Sequence, residues 1–261
     1  MGVIESLQKR RTYYQIDKKL PVSEEKVVET IQEAVKLVPD AFNMKSQRVI
    51  VALGEKQNQL WDTVYDVFGG KVSREKIDGF RAGAGTVLYF TDESVVKTLQ
   101  EKFPLYAANF PVWAQQSNGM LQISIWSALR ELEIGANLQH YNPVINEAVR
   151  KLFDVPEDWK LIAQMPFDGI VEEPGKKDDE EIGRRVRLAR SAGGWMSAGP
   201  VPVNRTNRTS RKQEGVFGEK PEAPSCFWKR AGTVRKKVCL SGKDCGCLCK
   251  TEKPAICLYI Q

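Results

Sequence analysis

The sequence predicts a layered α+β or α/β domain over residues 1 to about 175, followed by a basic segment of a different kind. Three observations carry this reading. Helical patterns with apolar residues at three-to-four spacing dominate the first part; its strands are few, apolar and separated by those helices; and both periodicities stop after Pro174.

Residues 3 to 14 read as a short first helix, with Val3, Ile4 and Leu7 apolar. Leu20, Pro21, Val22 and Ser23 then set up a helix start. Ser23 can accept from free amides, Glu24 and Glu25 sit at the positive end of the helix dipole, and Val22 is placed as a staple. The helix that follows repeats Val27, Val28, Ile31, Ala34, Val35 and Val38 on one face and stops at Pro39.

The loop PDAFNMKSQ leads into VIVALG, a β-branched strand closed by glycine. Residues 55 to 68 make a helix with Leu60, Trp61, Val64 and Val67 inward, GAGTVLYFTD is a second central strand, and Asp92 caps the helix after it. FPLYAANFP is a proline-punctuated crossing. A long helix then runs from about Trp113 to Leu132. Its face of Met120, Ile123, Ser124, Ser127 and Ala128 mixes small with apolar groups and suits a core or a subunit contact. ANLQHYNP follows Gly135, and a short helix near 144 to 153 precedes the strand in DWKLIAQMPFDG, which ends at Pro166.

Charge and cysteine separate the two parts. Residues 1–175 hold 20 Lys and Arg against 24 Asp and Glu, whereas 176–261 hold 19 against 9, so the overall +6 conceals −4 and +10. All 6 cysteines, Cys226, Cys239, Cys245, Cys247, Cys249 and Cys257, lie in the second part, and a first part without them is compatible with a reducing compartment. The run KDCGCLCK has C-x-C-x-C spacing rather than two separated C-x2-C pairs, so no metal site is expected. Asn204 and Asn207 stand in N-x-T patterns that are idle without a secretory signal. Neither such a signal nor a membrane-spanning apolar run is present in the sequence. The tail is basic but has no aromatic platform, so no nucleic-acid partner is expected. Rich in Gly, Ser, Asn and Pro, it is expected to be disordered.

The stretch QKRRTYYQIDK poses a separate question. Arg10 and Arg11 would point about 100° apart on a helix, so they cannot share one solvated stripe. Taken together in order and spacing, RRTYY, PDAFNMKSQRVIV, EIGANLQHYNP and WKLIAQMPF resemble the nitroreductase family over about residues 1–174, in particular its branch related to fungal fatty-acid-signalling and stress oxidoreductases.

That resemblance implies an α+β fold with a central, mostly antiparallel sheet flanked by helices, and a homodimer holding FMN at the subunit interface. By it, Arg10 contacts the flavin and its phosphate side, Thr12 donates a hydroxyl to the phosphate or ribityl chain, and Arg11 positions the segment. A phosphate favours guanidinium forks and hydroxyl donors in a tight space. Pro39, Asp40, Ala41 and Asn43 match the loop laid against the flavin of the neighbouring subunit. Gly135, Ala136 and Asn137 match a turn whose backbone approaches the ring edge near N5.

Three places depart from the family pattern. Tyr14 stands where a second phosphate-binding arginine is common, and Lys45 where glutamine is usual; Lys45 either favours reduced flavin or is simply exposed. Beyond Gly175, Arg184, Arg185 and Arg187 either replace the family's phosphate-binding cations or begin an unrelated segment, as an altered reading frame or unspliced sequence would produce. His140, the single histidine, is read as a structural or surface residue.

The implied activity is FMN-dependent reduction of nitroaromatic or quinone-like acceptors by NADH or NADPH, with ping-pong kinetics, because reactivity resides in the cofactor. The implied location is the cytoplasm and also the nucleus, with a role in lipid-linked or stress signalling. The alternative is a non-catalytic relative that binds a signalling partner.

Overall fold

The computed structural model of the chain describes residues 2–17, 19–178, 182–188, 196–197, 226–231 and 234–239. The chain divides into two units between Lys177 and Asp178. In chain order the first unit contains α1 (Val3–Lys9), β1 (Ile16–Asp17), α2 (Glu24–Leu37), β2 (Gln47–Leu53), α3 (Gly54–Phe68), α4 (Arg74–Arg81) and β3 (Gly85–Asp92). It continues with α5 (Glu93–Lys102), α6 (Phe110–Glu131), β4 (Ile134–Ala136), α7 (Asn146–Phe153) and β5 (Trp159–Ile170).

The strands form one antiparallel sheet in the order β1-β5-β3-β2, with β4 also paired to β5. The α+β class with an antiparallel sheet is therefore the one expected. β3 explains why helices cover both faces: all eight of its residues are buried, and alternation sends Val87 and Tyr89 to one side and Leu88 and Phe90 to the other. On the first side α2 and α6 supply Val27, Ile31, Leu121, Ile125 and Leu129. On the second, α3, α4 and α7 supply Leu60, Trp61, Val64, Ile77, Phe80 and Val149.

The expected caps form. Ser23 Oγ accepts from Lys26 N–H at 3.3 Å, and Asp92 Oδ1 accepts from Ser94 N–H at 3.1 Å. Other expectations need correction. The first helix ends at Lys9, so Arg10 to Tyr14 are extended, and Val3 and Ile4 on it are exposed. Val67 is exposed at the end of α3. α4 has a face too short to stand out from its flanking glycines and charges.

β5 does not stop at Pro166 but runs on to Ile170. Pro166 lacks an N–H, yet its carbonyl accepts from Asn137 N–H at 3.2 Å. In a strand a residue's N and C=O face the same neighbour, so the missing donor falls opposite Asn137, just past the last residue of β4, and pairing resumes with the reciprocal Gln139–Gln164 bonds.

The second unit holds a 3-10 turn at Ile182–Arg184, a short pair of β6 (Arg187–Leu188) with β7 (Met196–Ser197), and a hairpin of β8 (Cys226–Ala231) with β9 (Val234–Cys239). These strands occur in a segment with no readable period. The expectations for KDCGCLCK, Asn204 and Asn207 lie outside the described residues. Among the described residues no helix is long and apolar enough to cross a membrane.

A buried polar chain ties the sheet to the α3–α4 layer. The Trp61 indole N–H donates to Thr86 Oγ1 at 2.9 Å, the Thr86 hydroxyl donates to Gln57 Oε1 at 2.7 Å, and Gln57 Nε2 donates to the Phe80 carbonyl at 2.8 Å. Thr86→Val keeps the shape but leaves the indole and the amide oxygen unpaired. It is expected to cost about 2–4 kcal/mol in urea unfolding with the denaturant slope unchanged. A cost below about 0.5 kcal/mol would show that the chain is not holding this layer.

Candidate cofactor site

Leaving the first helix at Lys9 turns residues 10–14 into an extended strap across the end of the sheet. Tyr13 anchors it: its N–H donates to the Ala136 carbonyl at 3.1 Å, and its own carbonyl accepts from Asn137 Nδ2 at 2.8 Å. Gly135 permits this approach, because a Cβ there would lie 3.1 Å from Tyr13 Cβ and 2.9 Å from Ile170 Cγ1.

Arg10 and Arg11 take different surroundings. The Arg10 guanidinium lies over the Trp126 ring, 4.3 Å from its centroid, and its Nε is buried with no hydrogen-bond partner. Burial, aided by repulsion from Arg11, lowers its pKa. Arg11 instead donates from Nη2 to the Gly175 carbonyl at 2.9 Å. Thr12, between Arg11 and Tyr13, is half-buried, and Tyr14 is exposed.

Gly135, Ala136 and Asn137 do not form an open turn. They are β4 and its continuation, fully buried, with Gly135 paired to Asp168, Ala136 to Phe167, and Asn137 N–H bonded to Pro166. Asn137 N–H is taken up by β5 and the Ala136 carbonyl by Tyr13 and Trp126, so these residues hold the strap. Arg10 to Thr12 and Gly135 to Asn137 are thus brought together.

The loop after Pro39 is a second, separate feature. Phe42, Asn43 and Lys45 have φ of 58°, 48° and 52°, left-handed values that are unusual for any residue other than glycine and outlying for a bulky one. Short bonds enforce them: Asn43 N–H donates to the Asp40 carbonyl at 3.0 Å, Arg48 Nη1 donates to the Lys45 carbonyl at 2.7 Å, and Asp92 N–H donates to the Ser46 carbonyl at 2.8 Å.

The twist sets the Phe42 ring nearly parallel to Trp113, with centroids 5.5 Å apart and planes at 20°. Phe103 and Phe110 also pack on it, at 5.2 Å each. Phe42 still remains 44% exposed, at the edge of a pocket of about 240 Å³ shared with Asn43, Met44, Val95 and Leu99. Lys45 and Asn43 are exposed, Pro39 is exposed, and Ala41 is half-buried.

Asp40 is half-buried. Its Oδ2 accepts from Ser46 N–H at 3.4 Å while Oδ1 is buried without a partner. Burial raises its pKa, against the lowering effect of the Ser46 N–H and the Ser117 hydroxyl.

α6 connects the two features, with Trp113 near its start and Trp126 near its end. Met120 and Ile123, on the side between them, are exposed, and Ser124 and Ser127 are half-buried, so this small and apolar face is not core. Arg185 donates its N–H to the Ile182 carbonyl at 2.9 Å, and Arg187 pairs with Ser197; both belong to the second unit. Among the described residues there is no group of three or more His, Cys, Asp or Glu that could hold a metal.

Sequence reasoning missed Trp126, Tyr13 and Phe42 as parts of these features. An indole one face away from an arginine leaves no local pattern, and nothing in AFNMK, which lacks glycine, signals three left-handed residues.

Comparison with known proteins places these features in context. Residues 7–170 match the nitroreductase family. The nitroreductase FRM2 of Saccharomyces cerevisiae is 35% identical over 167 residues, covering 63% of this chain and 86% of that protein. The solved nitroreductase CinD of Lactococcus lactis, in complex with chloramphenicol, is 45% identical with a TM-score of 0.69, covering 72% of this chain and all of the other. A more distant fold neighbour from Exiguobacterium sibiricum, solved in complex with FMN, is 12% identical with a TM-score of 0.57 over 72% of this chain and 98% of its own.

Asp40 makes a test of the loop. Its raised pKa means that, between the ordinary 3.8 and the folded value, the folded state holds more protons than the unfolded one, so stability falls as pH rises through that window. Asp40→Asn removes the buried charge. It is expected to raise the melting temperature at pH 7 by about 2–4 °C, the shift of roughly 1 kcal/mol in a chain of this size, with the gain shrinking as pH falls through the raised folded pKa toward 3.8 and gone below it. A gain that is constant with pH would show that the carboxylate is not the cause.

Proposed function

The chain belongs to the nitroreductase family, and on that premise we propose that it binds FMN as a homodimer and uses NADH or NADPH to reduce electron-poor acceptors such as nitroaromatics and quinones. The observation that carries the proposal is Arg10, a guanidinium stacked on an indole with a buried Nε that lacks a partner. A buried donor left unsatisfied is costly. A phosphate or ring oxygen of FMN would satisfy it, and the half-buried Thr12 hydroxyl beside it is a second donor for the same anion.

The FMN bound by the Exiguobacterium neighbour supports the reading at the level of the fold. Bound FMN would supply the hydride acceptance and release that these side chains do not offer. The chain's own tasks are then to hold, orient and shield. Arg10 and Thr12 hold the anionic end, Arg11 and Tyr13 keep the strap in place, and the Asp40–Asn43 loop with the Phe42 and Trp113 rings offers an aromatic, water-poor wall.

The exposed face of α6 supports the homodimer part of this reading. Trp113 and Trp126 are about 20 Å apart along the helix at 1.5 Å per residue, so the strap and the Phe42 loop of one chain cannot line one compact pocket through this helix. An isologous contact with two α6 helices antiparallel about Met120 sets residue 126 of one beside residue 114 of the other. That arrangement covers the exposed Met120 and Ile123 and brings Arg10 of one protomer toward the Phe42 loop of its partner. A cytoplasmic and nuclear location and a role in the stress response belong to the same proposal.

Arg10→Ala is expected to weaken FMN binding roughly 30- to 1000-fold, the equivalent of about 2–4 kcal/mol for a stranded buried partner. Lys36→Ala, on an exposed stretch of α2, is the control with unchanged affinity. Equal FMN affinity in wild type and both variants would remove the strap from the cofactor site. A purified wild type that is colourless, and inactive after FMN is added, would favour the partner-binding reading.

If nicotinamide and acceptor occupy one place in turn, double-reciprocal plots at several acceptor concentrations should be parallel. Lines that intersect for every acceptor tried would overturn alternate occupancy.

A further inference from the structure

Arg130 is a buried arginine whose nitrogens are all engaged, and what it holds is the strap. Its Nε donates to the Tyr13 hydroxyl oxygen at 3.0 Å, Nη1 to Glu133 Oε2 at 2.9 Å, and Nη2 to Glu173 Oε1 at 3.3 Å. The Tyr13 hydroxyl lies 2.9 Å from Glu173 Oε2 and 3.3 Å from the Lys9 carbonyl, so the nearer carboxylate takes its proton. Tyr13, Arg130 and Glu173 therefore form a closed ring of three, in which each residue bonds to the other two.

The ring joins places far apart in sequence: the strap, the last turn of α6, and the segment leaving β5. Arg11 adds a second tie between strap and segment through the Gly175 carbonyl. The same strap carries Arg10, three residues before Tyr13, and the same helix turn carries Trp126, on which Arg10 stacks.

From this geometry we infer that Glu173 is a positioning residue for the cofactor strap, acting through Tyr13 and Arg130, so that the exit of the chain from β5 and the affinity for FMN are coupled. The inference rests on the FMN reading above. Without Glu173 the Tyr13 hydroxyl loses its charged acceptor and Arg130 keeps only Glu133 and the phenol. The strap then has its backbone bond to Ala136 but no side-chain lock, and the Arg10 fork is held less firmly over Trp126. Tyr13 and Arg130 are buried while the Glu173 side chain is 65% exposed, so the carboxylate closes the ring from the rim and its effect comes from bonding two buried partners at once. Glu133 bonds to Arg130 as well but not to Tyr13, so it lies outside the ring and serves as the internal control.

The test is a titration of FMN against the apoproteins of wild type, Glu173→Ala, Tyr13→Phe, the double variant and Glu133→Ala, with thermal melting of each. Tyr13→Phe keeps the ring that packs against Gly135 and carries the test if Glu173→Ala does not fold. The expected result is FMN binding about tenfold weaker in each single ring variant, little further loss in the double, and wild-type affinity in Glu133→Ala. A merely structural clasp would lower melting temperatures and leave affinity unchanged, which overturns the inference. So does a loss in Glu133→Ala equal to that in Glu173→Ala, since the charge near Arg130 would then be the cause. Wild type that binds no FMN overturns the proposed function itself.

Discussion

The carbonyl of Ala136 is the constraint on which the site depends. It accepts two donors, the Tyr13 N–H and the Trp126 indole N–H at 3.2 Å. A carbonyl oxygen has two lone pairs, and here each fixes a different wall. One bond sets the strap that carries Arg10, and the other sets the indole under its guanidinium. Because Ala136 is itself paired into β5, the sheet hands its rigidity to both. A functional group built on a strand end in this way is more exactly placed than one on a free loop.

α6 distributes that rigidity along the molecule. Its buried side packs Leu121, Ile125 and Leu129 on the sheet, and Asn118 Nδ2 reaches the Phe90 carbonyl at 3.0 Å. Near its start Ser117 bonds to Gln47, beside the strained loop. At its end Arg130 grips Tyr13. One helix thus fixes the aromatic loop and the strap, while its opposite face of Met120 and Ile123 is left to solvent in the single chain. This apolar face on a central helix, with exposed Val3 and Ile4 on α1, is the surface that the proposed homodimer would cover.

The two candidate features store cost in different forms. At the strap it is polar: a buried nitrogen of Arg10 with no acceptor. At the loop it is conformational: three non-glycine residues in left-handed backbone, plus a carboxylate of Asp40 that is half-buried and partly unpaired. Neither cost is relieved within the described residues. Under the FMN reading proposed above, the bound cofactor and the partner surface are what would offset these costs.

Much of the fold was legible in the sequence because it is written in local chemistry. Ser23 and Asp92 announce their helices, Pro39 ends one, and the unbroken apolar run of VLYF in β3 requires cover on both faces. The layered class follows from such signals, while the family resemblance rests on RRTYY, PDAFNMKSQRVIV, EIGANLQHYNP and WKLIAQMPF taken in order. The site was legible only in part. Arg10 and Thr12 stand out as residue types, and the loop from Pro39 stands out as a segment. The Trp126 platform, the left-handed Phe42 and the Arg130 ring do not, because each depends on partners distant in the chain, such as Tyr13 with Glu173. Gly135 to Asn137 read as a turn and form a buried strand and its continuation, since sequence cannot say which strand a segment will pair with. What the sequence by itself determined is where helices and strands start, stop and bury their faces, for these are governed by contacts within a few residues. What only the tertiary structure decided is which donors remain unsatisfied, because that is a property of everything packed around them.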